Sequence, residues 1–252
     1  MHIATSRPAW PGVALLLGAL IGLLAVTPAR AQGISIAWQD CRPPGGGGFA
    51  TQSFGCQVNT TTLPLFPSFT LATPVDSVLA MELVIDVDVD ADPLPDWWRM
   101  DPAGCRAGGW SADASLAGSC VDTWASAGTA VFQGWLPGQP GNNGRHGRLL
   151  VAAGSLSQDA PALDALVPYT VCRVLLRTNK TPDCAGCSTP ACFVFNSLLI
   201  RRLPGSSVEE VLLTVAESAG SNMVQWQGGV GANCQSVPLK RATWGAVKAL
   251  YR

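Results

Sequence analysis

Nine cysteines are the residues of this chain with the clearest chemistry, and Cys184, Cys187 and Cys192 lie close together among them. A close group of thiolates can bind zinc, cycle between thiol and disulfide or form structural bridges. A redox-active pair usually opens a helix, which lowers the thiol pKa, whereas this group lies in a loop between Pro182 and Pro190. The sequence therefore favours structural disulfides, with zinc and redox sites as alternatives, and we assign no metal or cofactor.

An odd number of cysteines leaves one of them unpaired in a monomer. Cys172 lies in an alternating run, in which it shares one face with Val174 and Leu176. We predict that Cys172 is a buried free thiol. The predicted disulfide cysteines are then Cys41, Cys56, Cys105, Cys120, Cys184, Cys187, Cys192 and Cys234.

Two of these disulfides are expected to close local loops. Cys41 and Cys56 bracket a glycine run, and Cys105 and Cys120 bracket a loop rich in glycine and serine. Both pairings are hypotheses, because spacing alone does not determine connectivity. The other four cysteines would form two further bridges.

The acidic run over residues 86–92 could supply carboxylate oxygens to calcium. Counted from Asp86, the positions that an EF-hand fills with glycine and glutamate hold alanine and tryptophan. Period two places Asp86, Asp88 and Asp90 on one face of a strand and apolar residues on the other. The pattern predicts a half-buried strand with a solvated acidic face, and a surface calcium site is the alternative.

The chain has nine tryptophans and two tyrosines, and two of the tryptophans are adjacent. Neighbouring side chains of a strand point to opposite faces, so one indole of this pair would face outwards and could stack on a sugar ring. Packing in the core is the alternative, because an indole contributes a large buried area. The predicted ligand-stacking residues are Trp97, Trp98 and Trp135.

No catalytic motif is present in the sequence. His146 is the one histidine after the first residues and lies in a segment that we interpret as a loop. The chain has no Gly-x-Ser-x-Gly, His-Glu-x-x-His or phosphate-binding glycine motif. A glycosidase-like pair could come from a set of carboxylates in which no spacing singles out two, namely Asp96, Asp101, Asp113, Asp122 and Glu217.

The N-terminal residues have the pattern of a signal peptide. Arg7 precedes an apolar run from Val13 to Val26, and the small-residue site Ala29-Arg-Ala31 follows. The apolar run is shorter than the roughly 20 residues of a membrane-spanning helix, and no later run is long enough. We expect residues 1–31 to be removed, and the mature chain to be secreted to the periplasm, the cell surface or the extracellular space.

The charge balance argues against nucleic acid as a partner. The chain has 16 Lys and Arg against 17 Asp and Glu, and it loses two arginines with the signal peptide, so the mature chain is mildly acidic. It has no basic run that could bind a phosphate backbone. Charged residues make up 13% of the chain, compared with about a quarter in an average soluble domain.

Short alternating runs between Gly, Pro, Asn and Ser clusters predict an all-β fold, an antiparallel β-sandwich stapled by disulfides. We assign the sandwich to residues 32–238, with a short helix at 161–166, and residues 239–252 to an amphipathic C-terminal helix or a recognition tag. The predicted strands are Ile34–Trp38, Ser68–Leu71, Val78–Val89, Ala130–Trp135, Arg148–Ala153, Tyr169–Arg177, Phe193–Arg201, Val208–Val215 and Met223–Trp226.

Several segments together resemble a family of uncharacterised secreted bacterial proteins. The resemblance implies export and an extracellular or surface location, and it brings no activity or ligand. The strand pattern is also loosely similar to cohesin-like and carbohydrate-binding sandwiches. The segments that carry the family resemblance are Trp38-Gln-Asp-Cys41, Phe54-Gly-Cys56-Gln-Val-Asn59, Leu94-Pro-Asp-Trp-Trp98, Cys184-Ala-Gly-Cys187, Pro190-Ala-Cys192 and the ending Thr243-Trp-Gly-x-Val-Lys-x-Leu-Tyr-Arg252.

These observations predict a secreted, non-catalytic binding or structural module of the cell surface or extracellular space. Its expected partner is a glycan or a surface protein, and an adhesive role fits both partners. A secreted hydrolase with a pair of carboxylates is the alternative function.

Overall fold

The computed structural model describes residues 32–41, 48–116, 120–141, 144–206, 210–218 and 221–228. This part of the chain is nearly all β, with short 3₁₀ helices at Asp96–Trp98 and Ser157–Asp159. The strands are β1 Gly33–Trp38, β2 Thr51–Gln52, β3 Thr62–Thr70, β4 Val78–Val89, β5 Trp110–Asp113, β6 Val121–Asp122, β7 Thr129–Pro137, β8 His146–Gly154, β9 Pro168–Thr170, β10 Arg173–Arg177, β11 Ala191–Arg202, β12 Glu210–Leu213 and β13 Met223–Trp226.

The strands form two sheets of a sandwich, which confirms the predicted fold class. One sheet has the order β5-β10-β3-β9-β6, with β1 also paired to β3. The seven-stranded sheet has the order β2-β13-β11-β4-β8-β7, with β12 also paired to β11. The pairing is antiparallel except between β2 and β13 and between β6 and β9, which are short parallel pairs.

The core lies between the two sheets and is built by the alternation that the sequence shows. In β4, Leu83, Ile85 and Val87 are buried on the inner face, and in β11 Phe193 and Phe195 are fully buried. Burial of large apolar side chains is the main driving force for such packing. The inner faces of β4 and β11 therefore anchor the sandwich.

The predicted strands mostly agree with the structure, and β4 has the predicted bounds. The segment Tyr169–Arg177 divides into β9 and β10, because Val171 N donates to the Pro67 carbonyl at the break. The helix predicted at 161–166 is wrong. Leu163 instead forms an isolated antiparallel bridge with Val75, through hydrogen bonds of 2.7 and 2.9 Å.

Several expectations lie outside the described residues, namely the signal peptide at 1–31, the helix or tag at 239–252, and Cys234. The domain boundaries proposed from the sequence stay predictions. Within the described ranges, no helix has the length and apolar character needed to cross a membrane.

Candidate functional site

The disulfides join parts of the chain that are far apart in sequence. Cys56 pairs with Cys187 across 131 residues. Cys41 pairs with Cys120, and Cys105 with Cys184, each across 79 residues. The local pairings predicted for Cys41 with Cys56 and for Cys105 with Cys120 are therefore wrong.

The strand pairing explains why Cys56 meets Cys187. Because β2 runs beside β13, the loop after β2 lies next to the loop before β11. The last residue of β13 and the residue after it link these loops: Trp226 Nε1 donates to the Cys187 carbonyl at 2.8 Å, and Gln227 Nε2 donates to the Phe54 carbonyl at 2.8 Å. The tertiary structure, and not loop length, selects this disulfide.

The cysteine cluster at 184–192 does not present a set of thiolates. Cys184 and Cys187 are bonded to different distant cysteines, and Cys192 is also in a disulfide. Disulfide sulfurs are not the thiolates that zinc and redox chemistry require. The zinc and redox interpretations of this cluster are therefore wrong.

Cys172 is a free cysteine that is completely buried in the core. Its burial, and secondarily the nearby Asp113 carboxylate, raises the pKa of the thiol from 9.0 to about 12. The thiolate is the reactive form of cysteine. Cys172 is thus a packed side chain without nucleophilic character.

We expect Cys172 to stay unreactive toward a thiol reagent such as DTNB at pH 8 in the folded protein and to react fully in denaturant.

Because the pKa of Cys172 is higher in the folded state, its contribution to stability is complete below about pH 9 and is lost as the pH rises toward 12. Denaturation midpoints measured between pH 8 and pH 11 should therefore fall more steeply for wild type than for Cys172→Ala. An equal pH dependence of the two proteins would contradict this assignment.

The tryptophans in the described ranges are core residues. Trp97 and Trp98 are fully buried, and Trp135 is 5% exposed. The pair lies on a 3₁₀ helix, so the face alternation of a strand does not apply and both rings turn inwards. Trp97 stacks on Trp226 with ring centroids 5.0 Å apart. The predicted stacking platform for sugars at Trp97, Trp98 and Trp135 is therefore wrong.

Arg106 is a fully buried cation beside this tryptophan cluster. Its guanidinium carbon lies 3.8 Å from the centroid of the Trp97 ring. The side chain donates to the carbonyls of Asn179 and Trp97, at 3.1 Å each, and to the Arg177 carbonyl. Burial lowers the pKa of Arg106 to about 9. These contacts give it a structural role in holding the loops at this end of the sandwich.

The acidic face of β4 is not solvated, which corrects the prediction for Asp86 and Asp88. Asp86 is fully buried and forms a bidentate pair with Arg148 on β8, at 2.6 and 2.9 Å. Asn196, at the register shift of β11, donates to the second Asp86 oxygen at 2.7 Å. Neighbouring strands therefore supply the groups that neutralise the buried charge.

Asp88 lies one row further along the same face and is 1% exposed. Its Oδ1 accepts from Arg145 Nε at 2.6 Å and lies 3.4 Å from His146 Nε2. His146 begins β8, which corrects the prediction that it lies in a loop. Its Nδ1 lies 3.3 Å from the Pro140 carbonyl. We call these side chains the ionic cluster: Asp86, Asp88, Arg145, His146, Arg148 and Asn196.

The ionic cluster does not form a calcium site. The Asp86 and Asp88 carboxylates accept hydrogen bonds from arginine side chains. In the part of the chain that the structure describes, the one group with converging metal-ligand atoms contains Asp40, Cys41 and Cys120. The two cysteines of that group are bonded to each other, so it offers no thiolate.

The carboxylates considered for a glycosidase pair have different partners. Asp101 pairs with Arg99 at 3.1 Å, and Asp113 pairs with Arg173. Asp122 accepts from the backbone N–H groups of Trp124 and Ser126 at 2.9 and 2.7 Å, and Glu217 accepts from the Thr70 hydroxyl. Each of these four carboxylates thus has its own partner, and the hydrolase alternative stays a prediction without assigned residues.

The ionic cluster lies on one half of the outer face of the seven-stranded sheet, and the other half of that face carries exposed aliphatic side chains. The strand register aligns one residue from each of five strands, with Val131 61% and Leu212 49% exposed at the two ends. We call this set the apolar row: Leu212, Leu199, Glu82, Ala152 and Val131.

The centre of the apolar row is shallow, because its side chains are small, and it contains one acid. Ala152 and the neighbouring Ala80 and Gly154 have small side chains or none. Glu82 Oε1 accepts from Arg201 Nε at 2.8 Å, whereas Glu82 Oε2 is buried without a hydrogen-bond partner among the described residues. The row is therefore a shallow aliphatic surface with one acid, paired to Arg201, at its middle.

Comparisons with known proteins add little to this geometry. No protein-family model and no curated protein matches the chain. Among solved structures, the chain is similar to the second type II cohesin module from the cellulosomal adaptor ScaA scaffoldin of Acetivibrio cellulolyticus, with a TM-score of 0.33, 8% identity, and coverage of 71% of this chain and 90% of that chain. This weak likeness is consistent with a loosely cohesin-like sandwich and carries no argument about function. The resemblance to a secreted bacterial family stays a prediction.

Proposed function

We propose that the protein is an extracellular, non-catalytic binding module that contacts a partner protein through the apolar row of its seven-stranded sheet. The observation that carries this proposal is the exposure of Val131 and Leu212 at the two ends of one row on a regular sheet. Exposed apolar surface with a polar surround is typical of sites that bind proteins.

The shape of the apolar row fits a segment of a protein. Five strands are separated by four spacings of about 4.8 Å, so the row is about 19 Å long. A segment lying along it could place aliphatic side chains against Leu212 and Val131.

A protein partner is favoured over a glycan by the type of residue in the apolar row. Proteins that stack sugars use aromatic rings, and the tryptophans predicted for that purpose are buried. The apolar row is aliphatic. The disulfides of the described part support an extracellular location, because disulfides persist in oxidising compartments.

The test compares Val131→Glu, Leu212→Glu with wild type in binding to surface and secreted proteins of the producing cells. We expect the double variant to bind the captured partner about tenfold more weakly or worse, because charges replace the two apolar anchors of the row. Both side chains are exposed, so unfolding free energy should change by only about 0.5 kcal/mol. Binding is measured by surface plasmon resonance with the purified partner.

The matched control is Leu156→Glu, Leu166→Glu. These leucines are 65% and 53% exposed and lie outside the apolar row. The control should bind as wild type does. Equal binding by both double variants, or binding to a polysaccharide that neither variant alters, would overturn the proposed function.

A further inference from the structure

The half of the outer face that contains the ionic cluster is covered. In a two-layer sandwich, one face of each sheet packs on the core and the other commonly faces water. Here the inner faces of β4 and β11 fill the core, yet outward side chains of the same sheet are also buried. We call this region the covered half: Val84, Asp86, Asp88, Arg148, Leu150, Cys192 and Val194, which are each 8% exposed or less.

The loop between β7 and β8 accounts for one end of this cover. Arg145 and the carbonyl of Pro140 come from that loop, and they contact Asp88 and His146. The row of Asp86 lies further along the sheet, beside Val194 on β11. Leu136 of β7 packs on Val84 and Leu150. The burial of Asp86, Arg148 and Val194 shows that further atoms of the chain lie over this row.

Cys192 indicates what forms this layer. It lies opposite Asp88 in the strand register and is fully buried on the outer face. It is also disulfide-bonded. Its partner must therefore approach the sheet from the outer face, on the side away from the core.

The composition of the chain identifies the partner within the molecule. Six of the nine cysteines form the three disulfides described above, and Cys172 is a free thiol. Cys192 and Cys234 are the two that remain. An intramolecular bond of Cys192 can therefore be made only with Cys234.

We propose that the segment 229–252 docks on the covered half and is attached to it by a Cys192–Cys234 disulfide. The segment follows β13, in which Gln225 lies opposite Cys192. The six residues that follow Gly228, up to and including Cys234, reach up to about 20 Å. Cys192 lies one strand spacing from β13, about 4.8 Å, so this length of chain is sufficient.

The chemistry of the segment matches the surface that it would cover. The sequence after Cys234 has apolar side chains at Val237, Trp244 and Val247. Val84, Leu150 and Val194 of the covered half are apolar and buried. Burial of these surfaces against one another would stabilise the docked segment, because removing apolar area from water is favourable. This inference does not depend on the proposed function, because it concerns the other half of the sheet.

The first experiment is peptide mapping by mass spectrometry of the full secreted protein under non-reducing conditions, after alkylation of free thiols. We expect a peptide pair that joins Cys192 to Cys234, and an alkylated Cys172. Recovery of Cys192 as an alkylated thiol, or bonded to a cysteine of a second chain, would overturn the proposal.

The second experiment measures the cover itself by hydroxyl-radical footprinting of wild type and Cys234→Ser. Loss of the attachment should increase the labelling of Val84, Leu150 and Val194 several-fold. Labelling of core side chains such as Ile85 should stay the same, which shows that the variant is folded. Unchanged labelling of the covered half would show that the segment does not cover it.

Discussion

Replacing Arg148 by methionine should lower the free energy of unfolding by about 3–5 kcal/mol, because the change leaves a buried carboxylate without its counter-charge. Asp86 is fully buried and receives two hydrogen bonds from the Arg148 guanidinium, at 2.6 and 2.9 Å. In the variant, Asn196 remains the single described donor to Asp86. The measurement is equilibrium unfolding in guanidinium chloride with the disulfides intact.

Two further variants make this prediction specific. Asp86→Leu combined with Arg148→Met removes both charges, and it should recover most of the lost stability, because well-packed apolar groups often replace a buried ion pair without loss. Arg99→Met removes a pair in which the arginine side chain is 41% exposed, and it should cost less than about 1 kcal/mol. A small effect of Arg148→Met, similar to that of Arg99→Met, would contradict the buried-pair assignment.

Removal of the Cys56–Cys187 disulfide should have an effect of similar size. A bridge across 131 residues restricts the unfolded chain strongly, and the loop-entropy relation gives about 5 kcal/mol for that length. A local bridge across about 15 residues would contribute only about 3 kcal/mol by the same relation. We therefore expect Cys56→Ala, Cys187→Ala to unfold at a much lower guanidinium concentration than wild type.

The control for this variant is Cys172→Ala, which removes a cysteine that forms no bridge. It should lose only the smaller free energy of a truncated core side chain, about 1–2 kcal/mol. The wild type in a reductant should behave like the double variant or be less stable. If the double variant and Cys172→Ala have the same midpoint, the long-range disulfide does not contribute as the structure indicates.

Period-two alternation was sufficient to predict the long strands. β1, β4, β7, β8 and β11 each show it, and their predicted bounds agree with the structure to within two residues, whereas β3 was predicted only at its end, Ser68–Leu71. β2 and β6 contain two residues each. Strands of this length are too short for a recognisable alternation, and they form because longer neighbours offer them hydrogen bonds.

The errors at the candidate sites have one physical origin, which is that local patterns assign a side chain to a face but do not show what lies against that face. Alternation correctly placed Asp86 and Asp88 opposite the core residues of β4. It could not show that arginines from β8 and its preceding loop would pair with them. Likewise, the Trp97-Trp98 pair was assigned to opposite faces of a strand, whereas the 3₁₀ turn directs both rings into the core.

The sequence by itself determined the class of the protein: a β-sandwich whose strands alternate in hydrophobicity, with most cysteines in disulfides and Cys172 on a buried face. These properties depend on residue type and on spacing of a few residues, which are local. Only the tertiary structure decided that Cys56 meets Cys187, that Asp86 is paired with Arg148, and that the exposed aliphatic residues align in one row. Those properties depend on strand order and register across the sheets, which join residues more than fifty positions apart. No local pattern in the chain encodes that register.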